Sequence, residues 1–330
     1  MSSGELRFDP DYLAAMAAMA ALPDLTDGAP PPVSENVPDL RKFSQNIMYK
    51  FLRLQSSPAH IYETRIPFEG RDGAVINMYR FASKDVAEAA EPQPAVIYAH
   101  GGGMVSGSVE IFSPMIIRLA AFTGMPFFAV DYRLAPEHPG PGPTEDVYNG
   151  LKHLSEHASE WNIDPRRIAI FGESAGGGLA AGAVLMARDL QLSPPLAKQI
   201  LVYPMLDDRT QIPKESALHK FLVWKAHSNQ IAWNAVLGAD KAGKDDADVS
   251  IYAAPGRAKD LTGLPSTYID IGGLDLFRDE TISYVARLSA ADVEVEFHLW
   301  PGLPHAFEIA DQSSWSKTAL EARKRALGTI

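Results

Sequence analysis

The chain of 330 residues contains no cysteine. This excludes disulfide bridges, thiolate nucleophiles and cysteine-bound metal sites, and leaves the compartment open. Positive charge is also scarce: 30 Lys and Arg stand against 41 Asp and Glu, a net charge of −11. So few cations suit neither nucleic acid nor an anionic membrane, so no nucleic-acid partner and no stable membrane association are expected. Long apolar runs are missing too. The stretch from Tyr12 to Leu22 follows Glu5, Asp9 and Asp11 and is shorter than a bilayer span. It reads as neither a membrane helix nor a secretory leader, which points to a cytoplasmic protein, monomeric or homodimeric. The G-x-G-x-x-G spacing of a dinucleotide site does not occur, and there are no repeats or low-complexity tracts.

Hydrophobic residues make up 46% and charged residues 22%, an ordinary globular balance that argues against extensive disorder. Asp9 is placed to cap a helix whose first residue is Pro10, with Tyr12, Leu13, Met16 and Met19 on one face. A stiff connector, Ala29-Pro30-Pro31-Pro32, and a second helical segment, Asp39 to Leu54, follow. Two β-rich runs, Ile61–Phe68 and Ala74–Phe81, flank Gly70-Arg71-Asp72-Gly73 and read as an antiparallel hairpin.

The rhythm then changes. Short apolar runs alternate with longer helical stretches: Ala95–Tyr98, Phe127–Val130, Ile168–Phe171, Ile200–Tyr203, Thr267–Ile271 and Val293–Leu299. That pattern predicts an α/β fold, an eight-stranded and mostly parallel sheet with helices on both faces and the second strand antiparallel. The interval between Tyr203 and Thr267 is too long for one crossover and carries Trp224, Trp233 and Leu237, then the charged stretch Lys241–Asp248. It reads as an insertion that forms a lid, the alternative being a decorative surface element.

Gly172-Glu173-Ser174-Ala175-Gly176 follows the apolar strand ending at Phe171 and precedes the Ala- and Leu-rich segment from Gly178 to Leu190. Strand before and helix after are what a nucleophile elbow requires, with Ser174 in a strained turn at the helix N-terminus. A glycine-rich strand-to-helix turn whose serine merely caps the helix is the alternative. His100-Gly101-Gly102-Gly103, directly after the strand ending at Tyr98, weighs against it. Acyl transfer puts negative charge on the former carbonyl oxygen, and glycines let backbone N–H groups approach it. The N–H groups of Gly102, Gly103 and Ala175 are the candidate oxyanion hole, and His100 is assigned a structural role in the loop.

A serine needs a base, and nine histidines compete. His153 and His157 are spaced i, i+4 with no third metal ligand in view, so no metal site is expected. His219 and His227 lie in the insertion, and His298 lies within a strand. His305 sits in Pro301-Gly302-Leu303-Pro304-His305-Ala306-Phe307, the loop leaving the last strand, where active sites of open α/β sheets gather. The chain order Ser, acid, His selects Asp275, just past the strand ending at Ile271, with Asp279 in reserve.

Taken together these motifs resemble the hormone-sensitive-lipase-like esterases, the bacterial family IV branch of the α/β-hydrolases. The matching blocks are His100–Gly103, Asp131–Glu137, Gly172–Gly177, Asp275–Glu280 and Pro301–Phe307, in the family's order, and the likeness runs from about residue 40 to 320. The resemblance implies the α/β-hydrolase fold and a serine carboxylester hydrolase acting on small-molecule esters, with amidase or lactonase chemistry and a non-catalytic binding relative as rivals. It implies no cofactor and no metal. It also implies a cap built from the N-terminal helices, residues 1–50, and the insertion 205–255, over a core formed by residues 51–204 and 256–330. Tyr12, Leu13, Met16, Trp224 and Trp233 are then expected to wall the acyl pocket. The Asp131–Glu137 block is expected to be architectural, with Arg133 and Glu137 as an internal ion pair. Three positions depart from the family pattern: Glu173 stands for a frequent Asp, Leu276 for Pro and Ala306 for Gly, the last of which bears on the shape of the pocket floor.

Overall fold

Residues 5–20, 34–54 and 57–330 are described by a computed structural model. The expected end of the first helix at Leu22 and the Ala29–Pro32 connector lie outside them. The N-terminal part holds α1 (Pro10–Ala20) and α2 (Val37–Leu52). Asp9 caps α1 as its sequence suggests, its Oδ1 accepting from the N–H groups of Asp11 and Tyr12 at 2.9 and 3.0 Å. Asn36 does the same for α2, where Pro38 fits the first turn.

The hairpin forms as read, β1 (Ile61–Glu69) running antiparallel to β2 (Val75–Ser83). A one-turn helix α3 (Lys84–Ala87) leads into β3 (Gln93–Ala99), α4 (Val109–Thr123), β4 (Phe127–Val130) and α5 (Gly142–Glu156). Then come β5 (Ile163–Glu173), α6 (Ala175–Asp189), β6 (Lys198–Val202), α7 (Ala226–Leu237) and β7 (Ser266–Gly272). α8 (Arg278–Ala290), β8 (Val295–Trp300) and α9 (Ser314–Leu327) complete the chain. The eight strands form one sheet in the order β1-β2-β4-β3-β5-β6-β7-β8. β2 is antiparallel to both its neighbours, and every pairing from β4 to β8 is parallel.

β4 is buried throughout, and β6 and β7 are buried beyond their first residue, as covering on both faces requires. α4 packs against α9, and α5 against α6. Three glycines, Gly176–Gly178, follow Ala175 at the start of α6 for a steric reason. A Cβ on Gly178 would lie 2.0 Å from the Met205 carbonyl oxygen, and one on Gly177 2.8 Å from the Pro204 side chain. The helix can therefore lie close against the chain leaving β6.

One ionic expectation is corrected. Arg133 does not pair with Glu137. Its guanidinium grips Asp146 of α5, Nε to Oδ2 at 2.9 Å and Nη2 to Oδ1 at 2.7 Å, and reaches Asp72 of the hairpin turn at 2.6 Å. The Asp146 side chain is 1% exposed, and a buried carboxylate needs a guanidinium more than a solvated one does. Glu137 points outward and takes Arg41 of α2 in a two-pronged pair at 2.9 and 2.8 Å. No helix among the described residues is long and apolar enough to cross a membrane.

Candidate active site

β5 ends at Glu173 and α6 starts at Ala175, so Ser174 alone makes the turn, at φ 56° and ψ −122°. That backbone is unfavourable for a residue with a side chain and is held by its surroundings. Its N–H donates to Val202 O and its carbonyl accepts from Met205 N, each at 2.9 Å. The flanking glycines are obligatory. A Cβ on Gly172 would sit 2.0 Å from Gly176 O, and one on Gly176 would sit 2.1 Å from Ala99 O.

Ser174 Oγ lies 2.9 Å from His305 Nε2, and His305 Nδ1 lies 2.7 Å from Asp275 Oδ2. A carboxylate can only accept, so the proton is on Nδ1 and Nε2 is left to accept from the serine hydroxyl. The second carboxylate oxygen of Asp275 accepts the N–H of Phe277 at 2.9 Å, which fixes the acid. Tyr203 and Phe277 meet the imidazole edge-on, with ring centroids 4.7 and 5.3 Å away. Asp275 and His305 are both buried. Asp279 stays apart in the first turn of α8, paired with the adjacent Arg278.

The loop after β3 brings Gly102 and Gly103 beside the nucleophile, at φ +123° and +66°, values that glycine tolerates. Among the described residues the N–H groups of Gly102, Gly103 and Ala175 donate to no protein acceptor. His100 is structural, as read. Its Nδ1 lies 2.7 Å from Gly101 O, and its ring stacks on Tyr132, whose hydroxyl donates to His100 O at 2.8 Å. Burial pushes its pKa down to about 4, so the imidazole is neutral and its Nδ1–H donates to Gly101 O. This is the architectural work of the Asp131–Glu137 block, which also caps α4 through Asp131 Oδ1 and Val109 N at 2.9 Å. Glu173 faces inward beneath the elbow, accepting from Tyr98 OH at 2.9 Å. Burial, and next the charge of Glu308, push its carboxyl up to about 8.

The serine opens into a cavity of about 1010 Å³. Its apolar wall comes from α2 (Phe43, Met48, Phe51) and α4 (Met115, Leu119, Phe122). Of the five expected pocket residues only Trp224 lines it, lying against Gly103, where a Cβ would be 2.8 Å from the indole. Trp233 is 1% exposed and belongs to the core. Tyr12, Leu13 and Met16 do not line the cavity because α1 is anchored elsewhere. Asp9 N donates to Gly302 O at 2.9 Å, Asp9 Oδ2 accepts from Trp315 at 3.2 Å, and Asp11 takes the side chain of Ser314. α1 thus braces the His305 loop against α9, Leu13 is exposed, and Tyr12 stacks on Phe8. The signal for this was in Asp9 and Asp11, polar groups free to bond beyond their own helix.

Three other histidines, His153, His157 and His298, make ordinary structural contacts. His153 and His157 stack on each other, His153 also on Phe68, and no metal-holding cluster occurs among the described residues. His298 pairs with Glu296 and stacks on Trp300.

With this geometry in view, residues 96–309 match the family described as the alpha/beta hydrolase fold. The chain belongs to that family. Within it the chain falls in the hormone-sensitive-lipase-like branch, as its motifs imply. It is 36% identical over 241 residues to the carboxylesterase NlhH of Mycobacterium tuberculosis, covering 71% of this chain and 74% of that protein. To the esterase LipI of the same organism it is 37% identical over 226 residues, covering 68% and 67%. The solved structure of a bacterial heroin esterase superposes with a TM-score of 0.83 at 35% identity over 97% of this chain and 96% of that one. Family membership supplies the fold and the likeness; the distances above supply the chemistry.

Proposed function

We propose that this α/β-hydrolase is a carboxylesterase that cleaves short- to medium-chain acyl esters of small molecules, with Ser174 as nucleophile, His305 as base and Asp275 as its orienting acid. The observation that carries the reading is the unbroken hydrogen-bond chain Asp275–His305–Ser174 at 2.7 and 2.9 Å, opening beside three unused backbone N–H groups. His305 Nε2 takes the serine proton as Oγ attacks the ester carbonyl. Charge develops on the carbonyl oxygen where the N–H groups of Gly102, Gly103 and Ala175 can receive it, the last reinforced by the N-terminus of α6. The imidazolium, stabilised by Asp275, protonates the leaving alkoxide. Water then enters, loses its proton to His305 and releases the acid.

The relatives named as esterases and carboxylesterases support the same reaction. The cavity is at the upper end of small-ligand sites, so it takes an acyl group of about four to eight carbons together with a larger alcohol. α2, which packs on α7, and the segment bearing Trp224 act as the cap.

The test is Ser174→Ala assayed with a panel of aryl esters, lactones and anilides. The expected loss in kcat is at least ~10³-fold with the fold intact. Retention of more than about a tenth of the wild-type rate removes Ser174 from the mechanism. Faster turnover of lactones or anilides than of esters moves the reaction class.

A further inference from the structure

An oxyanion hole works only if its donors already point the right way when charge appears. In a trans peptide the C=O and N–H of one plane point in opposite directions. The Gly102 N–H therefore faces away from the Gly101 carbonyl, and the Gly103 N–H away from the Gly102 carbonyl. Anchoring the carbonyls from behind is a way of aiming the N–H groups. His100 Nδ1 holds the first carbonyl. The second, Gly102 O, receives the Ser106 hydroxyl at 2.8 Å, together with Ser106 N at 3.0 Å and Val105 N at 3.3 Å.

We propose that Ser106 is a positioning residue of the oxyanion hole, whose hydroxyl fixes the Gly102–Gly103 peptide so that the Gly103 N–H faces the reacting carbonyl. The inference rests on the reading of that N–H as an oxyanion donor. A peptide between two glycines has little to resist its rotation, since no Cβ hinders either neighbour. Turned over, it would present a carbonyl oxygen to the developing negative charge. Ser106 is fully buried, and its hydroxyl donates to Gly102 O and to nothing else among the described residues. Burying a hydroxyl is unfavourable unless it is bonded, so this bond is what makes a serine tolerable there. The loop is also packed against it: a Cβ on Gly102 would lie 2.1 Å from Ser106 O. Three planes further on, Arg41 Nε donates to Val105 O at 2.7 Å, which directs the Ser106 N–H back onto Gly102 O by the same planarity. The hold on the donor thus extends to the helix α2.

The experiment uses full-length Ser106→Ala, with Ser106→Cys and Ser174→Ala beside it, each checked by thermal melting. A lost hydrogen bond of ordinary strength predicts a kcat about threefold to tenfold lower for Ser106→Ala, with KM changed less than about twofold. The inhibition constant of a trifluoromethyl ketone, which forms a tetrahedral oxyanion on the serine, should rise by the same factor. That of the secondary alcohol with the same carbon skeleton, which forms none, should not move. Unchanged kcat, or equal weakening of ketone and alcohol, overturns the role of Ser106. If Ser106→Ala does not fold, Ser106→Cys decides, because a thiol fills the place but donates weakly: its kcat should fall at least about twofold, and an unchanged value overturns the proposal. Activity in Ser174→Ala would instead remove the reading of the whole site. An inactive Ser174→Ala beside a fully active Ser106→Ala would remove the Ser106 inference alone.

Discussion

Replacing Glu173 by Gln should change how stability depends on pH. Glu173 sits under the elbow with Tyr98, Glu308 and Arg323 around it, and its carboxyl is pushed up from an ordinary 4.5 to about 8, first by burial and then by Glu308. Below pH 4.5 the carboxyl is protonated in both the native and the unfolded chain, and its contribution to stability is fully present. Between 4.5 and 8 the unfolded chain ionises while the native chain keeps its proton, so stability falls with every step in pH. Above 8 both are ionised and nothing further is lost. The whole span is on the order of 5 kcal/mol. In a chain of this size that is a relative shift in melting temperature of about 5–10 °C. Gln keeps an oxygen for the Tyr98 hydroxyl and has no proton to lose. Thermal melts from pH 5 to pH 9 should therefore show Glu173→Gln gaining on the wild type up to about pH 8 and then holding a constant lead. Parallel curves across that range would refute the claim that a buried neutral carboxyl supports the nucleophile strand.

Gly176→Ala should leave the protein insoluble or destabilised by more than about 3 kcal/mol, since its new Cβ would meet the Ala99 carbonyl oxygen, which is backbone and cannot move aside; expression yield and melting report it. Arg41→Gln should cost about 1–2 kcal/mol, little of it from the exposed pair with Glu137 and most from the bonds to Val105 O and Ala135 O; denaturant melts measure it, and a loss under about 0.3 kcal/mol contradicts it. Trp224→Ala should shift the acyl preference by two or more carbons, while Leu13→Ala should leave a chain-length series unchanged, because Trp224 lines the cavity and Leu13 faces solvent.

The parts of the site that were legible are those whose geometry is local or whose order is fixed by the fold. Gly172 and Gly176 announce a turn because no larger residue fits between β5, α6 and the end of β3. Asp275 and His305 are far apart in sequence, but each follows directly on a strand, and adjacent parallel strands bring the ends of β7 and β8 together. The illegible parts are contacts between elements whose relative placement no periodicity encodes. Arg133 and Glu137 are neighbours in sequence, yet α5 claims one and α2 the other. α1 and α2 are both helices with apolar faces, and only the docking of Asp9 and Asp11 onto the His305 loop and α9 decides that α2, not α1, walls the cavity. Ala306 shows the same limit at one residue. It holds φ 55° where the family often has Gly, so the departure changes no atom of the triad but keeps a left-handed turn under strain.

The central claim is that Ser174 Oγ carries the acyl group during turnover. Rapid quenching of the wild-type enzyme with an activated aryl ester, followed by peptide mass spectrometry, tests it directly. The account predicts a transient acyl mass increment confined to the peptide containing Ser174, accumulating in the burst phase and absent from His305→Ala, which lacks the base that activates the serine. An increment on another residue, or full turnover with no acyl-enzyme at any time, would contradict it.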